Sequence, residues 1–325
     1  MTPLTATVLA DIDHFAAQQN ASDDDVNSFW HEFGKTHRDT IARCGFETFK
    51  RHVTGYGSWQ ITKFSSRFTL YCLAALLQRG KLPALAQIDW RDAEPMPVWG
   101  EAVRDRNSPA QRLRAYAFYC GLIWQYAALH DQIGCLRLAE PSLGRPIPVW
   151  LHGRLISQDL ANAALDLNAM ASVIPLANAR RVLEIGAGYG RLAYVFTSLF
   201  RDAEYTIADI SPALAVSKNY LTAVTNEKKF SFVLPHQLDT MPDRSFDLVI
   251  NVSSFDEMPP AVQNHYLQRI DRLCRGHLYL SGYHRHLGEH VGLDDLPYPE
   301  NWTKLLDRRH EIFPLWVEKV FAIAM

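Results

Sequence analysis

The sequence predicts an α/β fold in which a doubly wound, mostly parallel sheet follows a mostly helical N-terminal domain. From Arg181 onward, apolar strand-like runs alternate with helical segments, which is the order of a doubly wound sheet. Residues 1–148 have helical periodicity and lack glycine-rich turns between strands. Three prolines between positions 141 and 148 interrupt this periodicity, so we expect one domain over 1–148 and a second over 149–325.

The N-terminal domain is expected to contain four helices. Its longest uncharged stretch, 115–129, is shorter than a membrane span and apolar on all faces. We expect this stretch to be buried in the domain or at a contact between two copies, which leaves a homodimer open. The first residues lack a secretory signal, so a cytoplasmic protein is expected. The predicted helices are 23–35, 39–44, 65–79 and 108–129.

The second domain is expected to begin with a helix that Ser157 caps. Strands and helices then alternate to residue 283. Two further strand-like runs are close enough to pair antiparallel at the sheet edge. The predicted strands begin at 181 and continue with 204–210, 230–234, 246–252, 276–283, 310–316 and 318–325, and the helices between them are 192–200, one from about 211, and 259–272.

The turn after the strand at Arg181 has the spacing E-x-G-x-G-x-G, formed by Glu184, Gly186, Gly188 and Gly190. A dinucleotide-binding turn has the spacing G-x-G-x-x-G, and Gly190 falls one residue early for that pattern. Glu184 would repel a pyrophosphate but not a cationic or zwitterionic ligand. The alternative is an ordinary tight turn without a ligand.

The next strand ends at Asp209, where a carboxylate can accept two hydrogen bonds from ribose hydroxyls. Asp209 could also cap the helix that begins near Ser211, and the two roles are compatible. After the third strand, the loop contains His236 and Gln237, from which contacts to an adenine ring are expected. Solvated loop residues are the alternative for both.

These elements resemble motif I and the following motifs of class I S-adenosylmethionine-dependent methyltransferases. The resemblance implies a Rossmann-like, seven-stranded methyltransferase sheet that ends in a hairpin, with S-adenosyl-L-methionine as cofactor and S-adenosyl-L-homocysteine as product. It also implies that Glu184 reaches the amino-acid end of the ligand and that the glycines admit the cofactor. The residues then expected to bind the cofactor are Glu184, Gly186, Ala187, Gly188, Gly190, Asp209, Ile210, His236, Gln237, Asn251 and, from the preceding helix, Gln158.

A narrower resemblance covers most of the chain: it is similar to a bacterial family of sugar O-methyltransferases. Residues 45–60, 153–168 and 250–272 carry this resemblance, in the expected order around the glycine turn. The family often has two adjacent glycines where this chain has Gly186 and Ala187, and the added methyl group is a mild change. The resemblance implies methyl transfer to a sugar or glycoside hydroxyl.

A sugar hydroxyl has a pKa far above 7, so its methylation requires a general base or a metal ion. Glu257 is the first candidate for this base, and His284 and His286 are the second. Asp256 or Glu257 could instead stabilise the start of the next helix. Histidine pairs do not suit Mg²⁺, so no metal is expected. The residues expected to contact the acceptor are Ser253, Ser254, Asp256, Tyr56 and Tyr283.

The composition limits the class of partner. With 33 basic and 35 acidic residues, the chain has no electrostatic footprint for nucleic acid or an anionic membrane, so a small-molecule acceptor is expected. Five cysteines without C-x-x-C spacing indicate a reducing compartment. Three alternatives stay open: a non-sugar natural product with an O or N nucleophile as acceptor, a cofactor-binding module without turnover, and a nicotinamide oxidoreductase.

Overall fold

The computed structural model describes residues 1–19, 28–52, 66–89, 109–225, 229–285, 292–313 and 315–323. The chain divides into two compact units. The first unit comprises Met1–Leu9 and His37–Asn168, and the second comprises Ala10–Thr36 and Ala169–Met325. The domain boundary predicted near residue 148 stays a prediction, because compactness alone does not decide which segments fold independently.

The helices confirm part of the sequence prediction. α4 and α5 match the helices predicted over 65–79 and 108–129. The helices predicted separately over 23–35 and 39–44 correspond in the described residues to one helix, α2, because no proline interrupts this segment. α1 was not predicted. The helices are α1 (Pro3–Gln18), α2 (Ser28–Cys44), α3 (Phe49–His52), α4 (Ser66–Gln78), α5 (Pro109–His130), α6 (Gln158–Ala171), α7 (Arg191–Leu199), α8 (Ala213–Val224) and α9 (Pro260–Leu273).

The first unit contains a small antiparallel sheet of β1 (Gln87–Ile88), β2 (Val149–Leu151) and β3 (Arg154–Ile156). A buried network precedes α6. Lys50 Nζ lies 2.5 Å from Glu140 Oε1, and Ser157 Oγ donates to Glu140 Oε2 at 2.6 Å. Ser157 Oγ also accepts from Leu160 N at 3.1 Å, so Ser157 caps α6 as predicted.

In the described part of the chain, the second unit contains a seven-stranded sheet with the strand order β6-β5-β4-β7-β8-β10-β9. β4 to β8 run parallel, whereas β10 is antiparallel to both β8 and β9. This arrangement confirms the predicted Rossmann-like, seven-stranded sheet. The strands are β4 (Arg181–Ile185), β5 (Glu204–Ala208), β6 (Phe230–Val233), β7 (Phe246–Val252), β8 (Cys274–Tyr283), β9 (Trp302–Arg309) and β10 (Trp316–Ile323).

The first strand of the C-terminal hairpin was predicted wrongly. The prediction was 310–316, whereas β9 ends at Arg309. His310 begins a turn, because its Nδ1 accepts from the backbone N–H of Ile312 at 3.1 Å and of Phe313 at 3.2 Å. Residue 314 is proline, which cannot donate to a sheet hydrogen bond. The turn therefore occupies the predicted strand position.

The apolar core of the second unit lies between the sheet and the helices that connect its strands. Its members come mainly from β4, β7, β8, β10 and α9 and include Leu183, Val249, Ile270, Leu278, Leu280 and Phe321, together with Phe255 from the loop after β7. The sheet therefore provides a rigid support for the loops at the C-terminal ends of β4, β5, β7 and β8, where α/β sheets bind ligands.

Among the described residues, no helix has both the length and the hydropathy that crossing a bilayer requires.

Candidate functional site

The glycine-rich turn between β4 and α7 requires its glycines for two reasons. Gly186, Gly188 and Gly190 have φ angles of 74°, 61° and 88°, a region that residues with a Cβ rarely adopt. A Cβ on Gly186 would also lie 2.2 Å from Ser254 Oγ. Ala187 completes the turn by accepting a 3.0 Å hydrogen bond from Gly190 N. Gly186, Ala187 and Gly188 are half-buried, so part of the turn's surface is accessible to a ligand.

Asp209 follows β5 and is hydrogen-bonded to the glycine turn. Its Oδ2 accepts from Gly188 N at 2.9 Å, and its Oδ1 accepts from Ile210 N at 2.8 Å. Each carboxylate oxygen can accept two hydrogen bonds, so one acceptor position per oxygen is left for a ligand. Burial raises the pKa of Asp209 to about 7, although the two backbone N–H groups oppose this shift.

Glu184 is buried in β4, with 3% of its surface exposed. Its Oε2 accepts a 2.8 Å hydrogen bond from Tyr205 Oη. Burial, and then the nearby Glu184 carboxylate, raise the pKa of Tyr205, which therefore stays a donor. Sequence reasoning missed Tyr205. The pairing of β4 with β5 would have identified it. Glu184 lies opposite Ile207, and Tyr205, two residues before Ile207, points to the same face of the sheet.

Asn251 connects the ends of β7 and β4. Its Nδ2 donates to Ile185 O at 2.8 Å and to Ser254 Oγ, and its Oδ1 accepts from Phe255 N at 3.2 Å. Only 1% of Asn251 is exposed. These contacts fix the position of Ser254 beneath Gly186, whereas the predicted contact of Asn251 with the cofactor stays a prediction.

The loop after β7 contains a strained residue. Ser253 has a φ of 54°, and its N–H donates to Ser281 O at 2.7 Å. A residue with a Cβ in this left-handed conformation costs about 1–3 kcal/mol, and such strain is frequent at binding sites. Asp256 lies in the same loop, is 1% exposed, and accepts from Tyr283 N at 3.2 Å. The loop is thereby joined to the end of β8.

Two candidate bases therefore lie on neighbouring segments. Glu257 follows Asp256 and is half-buried, and His284 follows Tyr283. Burial and the nearby Arg309 and Arg285 lower the pKa of His284, which keeps the ring neutral.

An ion-pair cluster lies beside His284. Asp294 Oδ2 is 3.9 Å from His284 Nδ1, which exceeds hydrogen-bond distance. Lys319, which is 3% exposed, lies 2.8 Å from Asp294 Oδ1 and 2.9 Å from Asp307 Oδ1. The hydrogen bonds from Lys304 and Lys319 lower the pKa of Asp307 against the opposing effect of burial. Sequence reasoning missed Lys319, since one lysine in a strand carries no visible pattern.

The two predicted adenine contacts lie in a 3₁₀ turn at Pro235–Thr240. The side-chain Oε1 of Gln237 accepts from Leu234 N at 2.7 Å, so this side chain caps its own turn. His236 is half-buried in the same turn. Their contact with a ligand stays a prediction.

Of the predicted residues not yet placed, the structure describes Gln158 and Tyr283. Gln158 begins α6 in the first unit and is 1% exposed. Tyr56 and His286 lie outside the described residues. The side chain of Tyr283 packs edge-on against Trp316, with the ring centroids 5.9 Å apart.

Comparison with known proteins agrees with the fold. Residues 183–276 match the family model described as a methyltransferase domain, and this segment includes the glycine turn, Asp209 and the loop after β7. The match covers under a third of the 325 residues. Residues 183–276 are thus similar to a methyltransferase domain. No curated protein sequence matches it.

Solved structures are similar in part. The PH0226 protein of Pyrococcus horikoshii OT3 is 15% identical, with 51% of this chain and 92% of that chain covered and a TM-score of 0.43. A SAM-dependent methyltransferase of Aquifex aeolicus is 10% identical, with 45% and 82% covered and a TM-score of 0.36. The [4+2]-cyclase SpnF is 15% identical, with 52% and 84% covered and a TM-score of 0.41. We draw no functional conclusion from these structures.

Proposed function

We propose that this chain is an S-adenosylmethionine-dependent methyltransferase that transfers a methyl group to a hydroxyl of a small molecule, a sugar or glycoside. The observation that carries the proposal is the arrangement of Asp209 against the glycine turn. Its carboxylate keeps an acceptor position on each oxygen, as two ribose hydroxyls require, and it lies next to a half-buried glycine turn. The methyltransferase-domain match over 183–276 supports this assignment.

The charges near the turn favour a cationic ligand. Glu184 and Asp209 are both acidic, and S-adenosylmethionine carries a sulfonium and an ammonium group. A nicotinamide dinucleotide would bring a pyrophosphate towards two carboxylates. The glycine turn also lacks the G-x-G-x-x-G spacing. We assign Glu184, Gly186, Ala187, Gly188, Gly190, Asp209 and Ile210 to the cofactor, together with His236, Gln237, Asn251 and Gln158.

When bound, the cofactor supplies an electrophilic methyl group. The residues of the chain then have to orient the acceptor hydroxyl, exclude water and accept the hydroxyl proton. We propose Glu257 as the proton acceptor, since it follows the loop that Asp256 joins to β8. His284 is the second candidate, and a lowered pKa suits a histidine that must be neutral to accept a proton. His286 is kept as a candidate on sequence alone.

The sugar acceptor rests on the resemblance of residues 45–60, 153–168 and 250–272 to sugar O-methyltransferases. Ser253, Ser254 and Asp256 supply polar groups near the proposed cofactor site. Tyr56 and Tyr283 are proposed as aromatic faces for a sugar ring.

The first experiment is a calorimetric titration of the full chain with S-adenosylmethionine and S-adenosylhomocysteine, with NAD as control. We expect micromolar binding of the two methionine-derived ligands and none of NAD. Transfer of a labelled methyl group to a panel of glycosides and nucleotide sugars then tests the acceptor. Binding of NAD alone would overturn the proposed cofactor, whereas cofactor binding without transfer to a broad panel would favour a module without turnover.

A further inference from the structure

The loop that follows Asp209 is held by the N-terminal segment of the chain. Ser211 N donates to Gln19 Oε1 at 3.2 Å, and Ser211 Oγ donates to Ile12 O at 3.0 Å. Ser211 lies two residues after Asp209, and Ile210 between them donates its N–H to Asp209 Oδ1. The N-terminal segment therefore contacts the backbone that sets the position of this carboxylate.

The same segment also forms polar contacts with α8, the helix after this loop. Asp11 Oδ1 lies 2.8 Å from Lys218 Nζ, and Asp11 Oδ2 accepts from Asn219 Nδ2 at 2.7 Å. Lys218 Nζ is 5.6 Å from the centroid of the Phe15 ring. Asn219 is 7% exposed, and its amide also donates to Ala215 O at 2.9 Å. Residues 11–19 thus hold both the loop and α8, and we call them the N-terminal brace.

A second N-terminal element lies against the same loop. Gly34 of α2 packs on Pro212, and a Cβ added to Gly34 would lie 3.2 Å from Pro212 Cδ. This distance is tighter than ordinary van der Waals contact, so the close approach depends on glycine. Pro212 and Ser211 are therefore both in contact with residues more than 170 positions away in the sequence.

We propose that the N-terminal brace positions the ribose-binding carboxylate and that Gln19, Ser211 and Asp11 are positioning residues for the cofactor. This inference rests on the proposed function. The brace contacts a loop that ends a strand, and loops of this kind move more readily than the strands that support them. Holding Ser211 in place restricts Ile210 and Asp209 before the ligand arrives, and such preorganisation raises affinity.

The coupling between the N-terminal brace and cofactor binding acts in both directions. If the docked brace favours cofactor binding, then bound cofactor must favour the docked brace by the same factor. If residues 11–19 only packed against the second unit, they would add to its free energy of unfolding and leave the affinity for the cofactor unchanged. Affinity and stability measured together therefore separate the two cases.

The test is calorimetric titration of the full chain with S-adenosylhomocysteine, at a temperature at which all variants are folded. The double variant Gln19→Ala/Ser211→Ala removes both side-chain bonds to the loop, and we expect its affinity to fall roughly tenfold. The matched control is Gln18→Ala, since Gln18 is the exposed neighbour of Gln19 and its amide bonds to the His14 ring instead of the loop. We expect this control to bind as the wild type does.

Hydrogen exchange supplies the second readout and needs no variant. S-adenosylhomocysteine should slow amide exchange in residues 11–19 of the wild-type protein. The positioning role of the brace alone would be overturned by either of two results: a folded double variant with wild-type affinity, or amide exchange in residues 11–19 that the ligand leaves unchanged. If S-adenosylhomocysteine does not bind to the wild-type protein, the proposed function and the positioning role of the brace are both overturned.

Discussion

The backbone N–H of Gly188 donates a 2.9 Å hydrogen bond to Oδ2 of Asp209, which ties the turn after one strand to the carboxylate after the next. The two residues lie 21 positions apart in the sequence. Parallel pairing of β4 with β5 brings them together, because it places both strand ends on the same edge of the sheet. The proposed cofactor site is built around this bond.

Replacement of Asp209 tests this arrangement directly. Asp209→Ala should weaken binding of S-adenosylhomocysteine by roughly 1.5–3 kcal/mol, because bonds from ribose hydroxyls to a charged acceptor are lost. Titration calorimetry measures the change. Asp202→Ala is the matched control, since the Asp202 side chain is 81% exposed and pairs with Arg180 away from the turn. Equal affinity of Asp209→Ala and the wild type would remove the ribose assignment.

The pKa of Asp209, about 7, predicts a pH-dependent affinity. Only the ionised carboxylate accepts hydrogen bonds on both oxygens, so affinity for S-adenosylhomocysteine should rise with pH through 7. Between pH 6 and 8 the ionised fraction grows roughly tenfold, and the apparent dissociation constant should fall by about that factor. Asp209→Asn should flatten this dependence.

The same pKa gives the opposite trend for the stability of the unliganded protein. The folded pKa lies above the ordinary 3.8, so between these values the folded state holds a proton that the unfolded state has lost. The contribution of Asp209 to stability is therefore present at low pH and lost as pH rises to 7. Urea unfolding of the wild type and Asp209→Asn at several pH values measures this contribution.

Gly186→Ala should destabilise the second unit and abolish cofactor binding, because the new Cβ would lie 2.2 Å from Ser254 Oγ. Gly153→Ala is the matched control: Gly153 has a φ of 75°, nearly that of Gly186, but open space around it. The control should cost about 1 kcal/mol for conformation alone. Thermal unfolding and titration compare the two, and adding Ser254→Gly should partly restore Gly186→Ala.

Lys319→Met should lower the free energy of unfolding by roughly 1–3 kcal/mol, because it leaves Asp294 and Asp307 beside each other without their shared cation. The two carboxylates keep about a third of their exposure, which moderates the loss. Lys304→Met is the control, since Lys304 also pairs with Asp307 but is 50% exposed. Chemical denaturation should show little change for Lys304→Met, and equal losses for both variants would contradict this interpretation.

Glu257→Gln should lower the rate of methyl transfer roughly a hundredfold while affinity for S-adenosylhomocysteine stays near the wild-type value. The measurement uses the acceptor found in the glycoside screen. Glu300→Gln, at an exposed position, is the control for loss of a surface carboxylate. A fully active Glu257→Gln would assign Glu257 to the support of α9 and make His284→Gln the next variant.

The local parts of this structure could be predicted from sequence, because each depends on residues close together in the chain. The apolar run before Glu184 and the three spaced glycines predict a strand and a tight turn. Asp209 at the end of the next strand follows from the spacing of such units. The seven-stranded sheet and its C-terminal hairpin follow from the resemblance, although the bounds of β9 do not.

The contacts that the sequence did not reveal join distant residues of unremarkable types. Ser211 and Gln19 are common polar residues, and their bond spans 192 positions. β9 carries charged side chains at four of its eight positions, 304 and 307–309, so its alternation of apolar and polar residues is weak. Without a pattern in the chain, only the folded structure identifies such contacts.

The position of β10 has a consequence for biosynthesis. β10 follows β9 in the chain but lies between β8 and β9 in the sheet, so β9 has no neighbouring strand until β10 arrives. On the ribosome, the edge of β8 stays uncovered until residues 316–323 have emerged. An uncovered strand edge invites pairing with other chains. We therefore expect nascent chains that stop before Trp316 to aggregate or to recruit chaperones.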